Sequence, residues 1–93
     1  MNMKKQLHII VSGRVQGVFF RANAQKQARK LNLKGWCKNL PDRTVEILLE
    51  GEESQLEKFL VWCRKGPMFA RVDNIETKWK RATGEFNLFS IRY

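Results

Sequence analysis

Residues 6–31 read QLHIIVSGRVQGVFFRANAQKQARKL, and the spacing of their apolar side chains changes halfway along. Residues 6–12 are rich in β-branched side chains and end at Gly13, which is typical of a strand. From there on the apolar residues recur at helical spacing, at Phe20, Ala24, Ala28 and Leu31. The stretch therefore predicts a strand, a glycine-containing loop and a helix, in that order.

A β-hairpin is predicted after this helix. Gly35 indicates a break in the chain. Residues 36–40 and 44–49 then alternate in polarity on either side of the turn Pro41-Asp42-Arg43. Gly51 marks the end of the second of these two strands.

The second half of the chain predicts one more helix and two more strands. The apolar residues of the helix are spaced i, i+3, i+4, i+7 before the stop at Gly66-Pro67, and they are Leu56, Phe59, Leu60 and Cys63. Segments 72–79 and 86–93 predict strands separated by the turn Ala82-Thr83-Gly84.

The order of these elements is β-α-β-β-α-β with a short terminal strand. It predicts an α+β fold, a two-layer ferredoxin-like sandwich with both helices on one face of a mostly antiparallel sheet. Strands 1 and 2 are then parallel with strand 3 between them, so the loop after Ser12 and the end of strand 2 share one edge. Because no linker or repeat interrupts the chain, we expect residues 1–93 to form a single domain.

Charge is unevenly distributed along the chain. The net charge is +9, and the first 45 residues contain ten Lys and Arg but only one acid, Asp42. Such a field attracts anions, either nucleic acid or a small phosphorylated molecule, although it is equally typical of a solvated basic face. Charge alone favours a solvated basic face or nucleic acid, and a more specific feature is needed to choose.

Export, membrane insertion and metal binding are not predicted. The apolar run from Ile9 to Val11 is far shorter than the roughly 20 residues that a membrane span requires. We therefore expect a cytoplasmic protein in which Cys37 and Cys63 are free thiols. Zinc prefers about four ligands, and with His8 as the only histidine the sequence offers too few, so we expect no metal and no cofactor.

The segment Gly13–Arg21 predicts an anion site. Its two glycines, Gly13 and Gly17, stand between a strand and a helix and allow backbone N–H groups to turn inward beside the helix N-terminus. Arg21 falls in the first helical turn, and a guanidinium binds two phosphate oxygens at once. The alternative is an ordinary glycine-containing turn with two solvated arginines.

Two longer strings resemble the signatures of the acylphosphatase family. The first is GRVQGVFFR at residues 13–21, and the second is GWCKNLPDRTVE at residues 35–46, where the family has G-W-V-x-N-x-x-D-G-T-V-E. Residues 66–73 and the ending FSIRY are also similar, so the resemblance covers essentially the whole chain. Cys37 replaces the usual Val, and Arg43 replaces the usual Gly. If the turn requires a positive φ, Arg43 costs about 1 kcal/mol.

The resemblance implies a hydrolase that converts acyl phosphates into a carboxylate and inorganic phosphate. It implies that Arg21 binds the substrate phosphate, that Asn39 orients the attacking water, and that a backbone cradle is formed by Gly13, Arg14, Val15, Gln16, Gly17 and Val18. A mixed anhydride has a good leaving group, so such an enzyme requires neither a metal nor a covalent nucleophile. We expect a monomer that binds small anionic acyl phosphates and is competitively inhibited by inorganic phosphate.

Two alternatives from other classes remain. RNA-recognition domains share the β-α-β-β-α-β topology, but here the third strand reads TVEILLE, which is acidic and aliphatic and does not favour nucleic acid. A phosphate-binding regulatory domain without turnover, like the acylphosphatase-like modules of larger carbamoyl-transfer proteins, is the second. The presence of both Arg21 and Asn39 favours an active enzyme over this second alternative.

Overall fold

A computed structural model describes residues 3–93 of the chain. The elements along the chain are β1 (Lys4–Arg14), α1 (Phe20–Lys30), β2 (Lys34–Asn39), β3 (Val45–Glu52), α2 (Glu53–Lys65), β4 (Arg71–Arg81) and β5 (Phe89–Arg92). The predicted α+β fold and its order of elements are confirmed. Neither helix within residues 3–93 is long and apolar enough to cross a membrane.

The five strands form one sheet in the order β4-β1-β3-β2-β5. β3 pairs antiparallel with both β1 and β2, so β1 and β2 are parallel with β3 between them, as predicted. β5 pairs parallel with β2. The C-terminal ends of β1, β2 and β5 therefore meet at one edge of the sheet, where Arg14, Asn39 and Arg92 lie.

The core lies between the sheet and the two helices. Alternate side chains of β1 and β3 point into it and are fully buried, namely Leu7, Ile9, Val11, Val45, Ile47 and Leu49. The helices bury the apolar faces that their spacing predicts, including Phe20, Ala24, Ala28, Leu56, Phe59, Leu60 and Cys63. Each large apolar side chain buried here contributes about 1.5–3 kcal/mol.

β1 is longer than the sequence predicts, because it includes Gly13 and Arg14. The pairing of β1 with β4 shifts in register after Ser12 and then places Arg14 opposite Arg71. A side chain at Gly13 would put its Cβ 2.2 Å from the carbonyl oxygen of Arg71, and the φ of Gly13 is +127°. Glycine is therefore required here for β4 to continue alongside β1 up to the edge.

Gly35 does not break the chain, contrary to the prediction from sequence. It is the second residue of β2, where a Cβ would lie 1.9 Å from the carbonyl oxygen of Leu48 on β3. The chain turns earlier, after α1 ends at Lys30, with Asn32 at a φ of 56°. The glycine serves close strand packing, which a reading of local turn signals cannot detect.

β4 and β5 are the two outermost strands of the sheet, and the segment between them crosses from one to the other. Glu50 on β3, which is buried, holds this crossover: its carboxylate accepts hydrogen bonds from the N–H and hydroxyl of Thr83, both at 2.8 Å, and from the N–H of Gly84 at 2.9 Å. The amide of Gln6 donates a further hydrogen bond at 2.8 Å. Glu50 thereby fixes the path that brings β5 beside β2.

Candidate functional site

A cavity of about 320 Å³ opens at the edge where β2 and β5 end and α1 begins. Its lining residues are Val15, Gln16, Gly17, Phe19, Phe20, Arg21, Ala22, Asn39, Ile91 and Tyr93. It thus brings together Arg21, Asn39 and the middle of the predicted cradle. We call it the Arg21–Asn39 cavity.

The remaining cradle residues lie outside this cavity. Gly13 and Arg14 belong to β1 and line a second, adjoining cavity, while the Val18 side chain is buried in the core. The loop segment that faces the Arg21–Asn39 cavity therefore begins at Val15.

The loop before α1 leaves its backbone donors available. Residues 16–19 bend without a hydrogen-bonded turn, and both Gly17 and Phe19 have positive φ, of 74° and 61°. Within residues 3–93, no hydrogen-bond acceptor pairs with the N–H groups of residues 16–20. The first turn of α1 has no acidic residue and no capping side chain, so its positive end faces this loop uncompensated. Such a segment can bind an anion through its N–H groups.

Arg21, the second residue of α1, is held at the wall of the cavity by the end of the chain. Its Nη1 donates to the carbonyl oxygen of Arg92 at 3.1 Å, and its Cζ lies 4.8 Å from the ring centroid of Tyr93. No carboxylate within the described part of the chain lies within 4.0 Å of the guanidinium. The positive charge of Arg21 is therefore positioned but not neutralised.

Asn39 ends β2 on the other side of the same cavity. Its Oδ1 is buried and has no hydrogen-bond donor among residues 3–93. A buried acceptor without a partner costs about 1–3 kcal/mol, which is a reason to expect that this amide has a partner when the site is in use. A half-turn about χ2 exchanges the positions of Oδ1 and Nδ2, so that the oxygen takes the place of the amino group.

Gln16 has a role that the sequence reasoning missed, since only its backbone was predicted to matter. Its Nε2 donates to the carbonyl oxygens of Leu40 and Thr44, at 2.9 Å each, and so ties the loop to the β2–β3 turn. Asp42 stabilises that turn, because its Oδ1 accepts from the N–H and the hydroxyl of Thr44 at 3.1 and 2.6 Å. These hydrogen bonds from Thr44 lower the pKa of Asp42. The feature of the sequence that could have indicated this role is that Gln16 is the one polar side chain in a loop segment of apolar and glycine residues.

The other reactive groups do not line the Arg21–Asn39 cavity. His8 contacts Glu46 across the strand pair, with Nε2 and Oε2 2.7 Å apart, as expected for a structural histidine. Cys37 and Cys63 are free and buried, and burial raises the pKa of each thiol to about 12. Residues 3–93 contain no group of three or more His, Cys, Asp or Glu side chains placed to hold a metal ion.

Comparison with known proteins gives consistent matches along the whole fold. The profile of the acylphosphatase family matches residues 7–91. The acylphosphatase of Methylococcus capsulatus is 45% identical over 87 residues, which is 94% of this chain and 95% of that protein. The crystal structure of acylphosphatase from Bacillus subtilis superposes with a TM-score of 0.93 at 44% identity, covering 96% of this chain and 99% of the other.

A larger protein contains the same fold. Full-length HypF in its phosphate- and nucleotide-bound form superposes with a TM-score of 0.87 at 28% identity, and the match covers 100% of this chain but 12% of HypF. Together, the matches define a hydrolase with the α+β sandwich described above. The chain belongs to the acylphosphatase family, and the predicted activity, hydrolysis of acyl phosphates, is confirmed at the level of the family.

Proposed function

We propose that the Arg21–Asn39 cavity binds the phosphoryl group of an acyl phosphate and directs a water molecule onto its phosphorus atom. The observation that carries this proposal is that one cavity combines an un-neutralised guanidinium, a loop of unpartnered N–H groups and a buried amide without a donor. The first two bind the phosphoryl oxygens, and the amide holds the water.

Arg21 and the loop N–H groups stabilise the charge on the equatorial oxygens of the phosphoryl group. Charge-assisted hydrogen bonds to a guanidinium are about twice as strong as neutral ones. Because the donors are already placed by Gln16 and by the start of α1, little reorganisation accompanies the reaction. The leaving group is a carboxylate, which needs no protonation at neutral pH.

Asn39 positions the attacking water by accepting a hydrogen bond from it; because Oδ1 is buried in the structure, the side chain has to rotate for this oxygen to meet the water. The water oxygen forms a bond to phosphorus while the bond between phosphorus and the carboxylate oxygen breaks. An amide is not a base, so the proton of the water passes to a phosphoryl oxygen of the substrate. The products are a carboxylate and inorganic phosphate, and no metal or cofactor takes part.

The acyl group lies against the apolar wall of the cavity, formed by Phe19, Ile91 and Tyr93. The side chains of Phe19 and Tyr93 are 76% and 96% exposed, so contact with an acyl chain removes apolar surface from water on both partners. Phe19 is held at the mouth by a left-handed backbone conformation that is uncommon for an aromatic residue. Strain of this kind is often found beside binding sites.

Residues 1–93 act in this proposal as one catalytic unit, a monomer in the cytoplasm, for which inorganic phosphate is both product and competitive ligand. Nucleic acid is not favoured as a partner. The central strand β3 carries Glu46 and Glu50 but no basic or aromatic side chain, so it offers a nucleic acid neither positive charge nor a stacking surface.

The direct test is hydrolysis of benzoyl phosphate in oxygen-18 water with EDTA present. Attack on phosphorus places the label in inorganic phosphate, whereas attack on the carbonyl carbon places it in benzoate. We expect turnover in EDTA and label in phosphate alone. Label in benzoate would contradict the assigned roles of Arg21 and Asn39, and an absence of turnover would contradict the function itself.

A further inference from the structure

We infer that a second anion subsite, formed by Arg14, Arg43 and Arg71, adjoins the Arg21–Asn39 cavity and selects acyl phosphates that carry a second anionic group on the acyl chain. The inference rests on the proposed function and adds to it the class of substrate. The occupant of the subsite is a carboxylate or phosphate group at the far end of the acyl chain.

The subsite is a cavity of about 310 Å³ that we call the triple-arginine cavity. Its lining residues are Gly13, Arg14, Val15, Gln16, Arg43 and Arg71. Val15 and Gln16 line both this cavity and the Arg21–Asn39 cavity. The two cavities therefore adjoin, with the segment formed by Val15 and Gln16 as their common wall.

The charges around the triple-arginine cavity are only partly compensated. Arg71 forms a two-pronged pair with Asp73, with Nε–Oδ1 and Nη2–Oδ2 distances of 3.0 and 3.3 Å. Neither Arg14 nor Arg43 has a carboxylate within 4.0 Å in the part of the chain that the structure describes. Asp42, next to Arg43 in sequence, is engaged by Thr44. Two guanidinium groups thus share one concave surface without a counterion, and a bound anion relieves their repulsion.

The backbone that presents these arginines is fixed by the fold. Arg14 and Arg71 are opposite each other in the β1–β4 register, and the close approach at Gly13 permits this pairing. Arg43 stands in the β2–β3 turn that Gln16 holds against the loop. Its φ of 73° is in the left-handed region, which costs an L-residue about 1 kcal/mol. A residue that destabilises the turn while its side chain lines a cavity of like charges is consistent with a binding role.

Arginine suits this task because its planar fork matches the two oxygens of a carboxylate or phosphate. All three side chains are exposed, so water weakens each interaction. We therefore expect selectivity of about three- to tenfold in kcat/KM rather than a strict requirement for the second anion.

The test uses two substrates that differ at the end of the acyl chain, pentanoyl phosphate and glutaryl phosphate, where a carboxylate replaces the terminal methyl group. The wild-type protein is expected to hydrolyse glutaryl phosphate with a kcat/KM about three- to tenfold higher. In the double variant Arg43→Asn/Arg71→Gln this ratio should fall to about one, because Asn tolerates the left-handed turn while removing the charge. Pentanoyl phosphate should be hydrolysed nearly as fast as by the wild type.

A matched control separates a local subsite from the general positive field. The double variant Lys80→Gln/Arg81→Gln removes the same charge at the other end of β4, about 33 Å along the strand from Arg71. It should keep the preference for glutaryl phosphate. The single variant Arg43→Asn should lower the ratio partly and provides the same readout if the double variant folds poorly.

Three outcomes would overturn the inference. In the first, the wild type hydrolyses both substrates without a preference for glutaryl phosphate. In the second, Arg43→Asn/Arg71→Gln keeps the preference. In the third, the control Lys80→Gln/Arg81→Gln loses the preference to the same extent. All three leave the proposed function intact, since pentanoyl phosphate is still hydrolysed. Absence of turnover of pentanoyl phosphate by the wild type would instead contradict the proposed function.

Discussion

Gln16 and Leu40 are joined by a hydrogen bond of 2.9 Å from Nε2 to the backbone carbonyl oxygen. Leu40 directly follows Asn39, and Gln16 belongs to the loop that leads into Arg21. This one side chain thus helps to fix the distance between the proposed phosphate-binding donors and the proposed water-binding amide. The second hydrogen bond of that side chain, to Thr44, adds to the constraint on the β2–β3 turn.

Replacing Gln16 by Ala should lower both stability and activity. The carbonyl oxygens of Leu40 and Thr44 each keep a backbone donor but lose the hydrogen bond from Gln16, so the free energy of unfolding should fall by about 1–3 kcal/mol for the two hydrogen bonds. Because the loop is released from the turn, kcat/KM for benzoyl phosphate should fall by about tenfold or more. Urea unfolding and steady-state kinetics measure the two effects.

Gln55→Ala is the matched control for this variant. Its amide donates one longer hydrogen bond, 3.4 Å, to Leu31 at the opposite end of the molecule. We expect a small loss of stability and unchanged kinetics. If Gln16→Ala behaves like Gln55→Ala in both measurements, Gln16 does not hold the site together.

Arg43→Gly should stabilise the protein. The φ of 73° is the positive value that the sequence-based argument considered, and glycine adopts it without the steric cost that Arg bears. After the entropy gained by the unfolded chain is subtracted, we expect an increase of up to about 0.6 kcal/mol in the free energy of unfolding. Arg43→Ala, which removes the charge but keeps the strain, should show no such increase. A glycine variant no more stable than the alanine variant would mean that the turn is not strained.

Glu50→Gln should change how stability depends on pH. Burial alone would raise the pKa of Glu50, but hydrogen bonds from Thr83, Gln6 and Gly84 outweigh it and hold the pKa below its ordinary value of 4.5. The carboxylate therefore contributes stability above that value and loses its contribution as the pH falls through the lower pKa of the folded state. The variant should be less stable than the wild type by about 1–3 kcal/mol near neutral pH, and the difference should shrink in acid.

Urea unfolding across the acid range measures this difference, with Glu57→Gln on the exposed face of α2 as the control. The control should follow the wild type at every pH. A constant difference between Glu50→Gln and the wild type would show that the charged form of Glu50 does not hold the crossover.

The two cysteines should be unreactive in the folded protein. Burial raises the pKa of both Cys37 and Cys63 to about 12, so almost no thiolate forms at mildly alkaline pH, and the sulfurs are not accessible. A chromogenic disulfide reagent for thiols should label neither residue until the protein is unfolded with guanidinium chloride. Alkylating reagents should leave the activity of the folded protein unchanged. Rapid labelling of the native protein would contradict this burial.

The sequence was sufficient to predict the fold because local periodicity and topology agreed. The alternation in β1 and β3 and the helical spacing at Phe20, Ala24 and Ala28 each specify one buried face. Because the order of elements predicts that strands 1 and 2 are parallel, the loop before α1 and Asn39 were expected at the same edge. The placement of Arg21 and Asn39 in one cavity was therefore foreseeable from the order of elements.

The features that were missed depend on contacts between residues far apart in sequence. Glu50 is one glutamate among several until the register of β3 and the path of the crossover place it beside Thr83. Gly35 serves an approach to Leu48 that no local turn pattern reveals. The pairing of Arg14 with Arg71 likewise follows from a shift in register at Ser12 and Gly13. Each of these requires the three-dimensional pairing, not the local pattern.

Steady-state hydrolysis of benzoyl phosphate in EDTA by the wild type, Arg21→Ala and Asn39→Ala tests the central claim most directly. We predict rapid metal-free turnover by the wild type, and a loss of about a hundredfold or more in kcat/KM for each variant. Arg21→Ala should also weaken competitive inhibition by inorganic phosphate, while Asn39→Ala should leave that inhibition nearly unchanged. Turnover close to wild type in either variant, with the fold intact by circular dichroism, would contradict the role assigned to that residue.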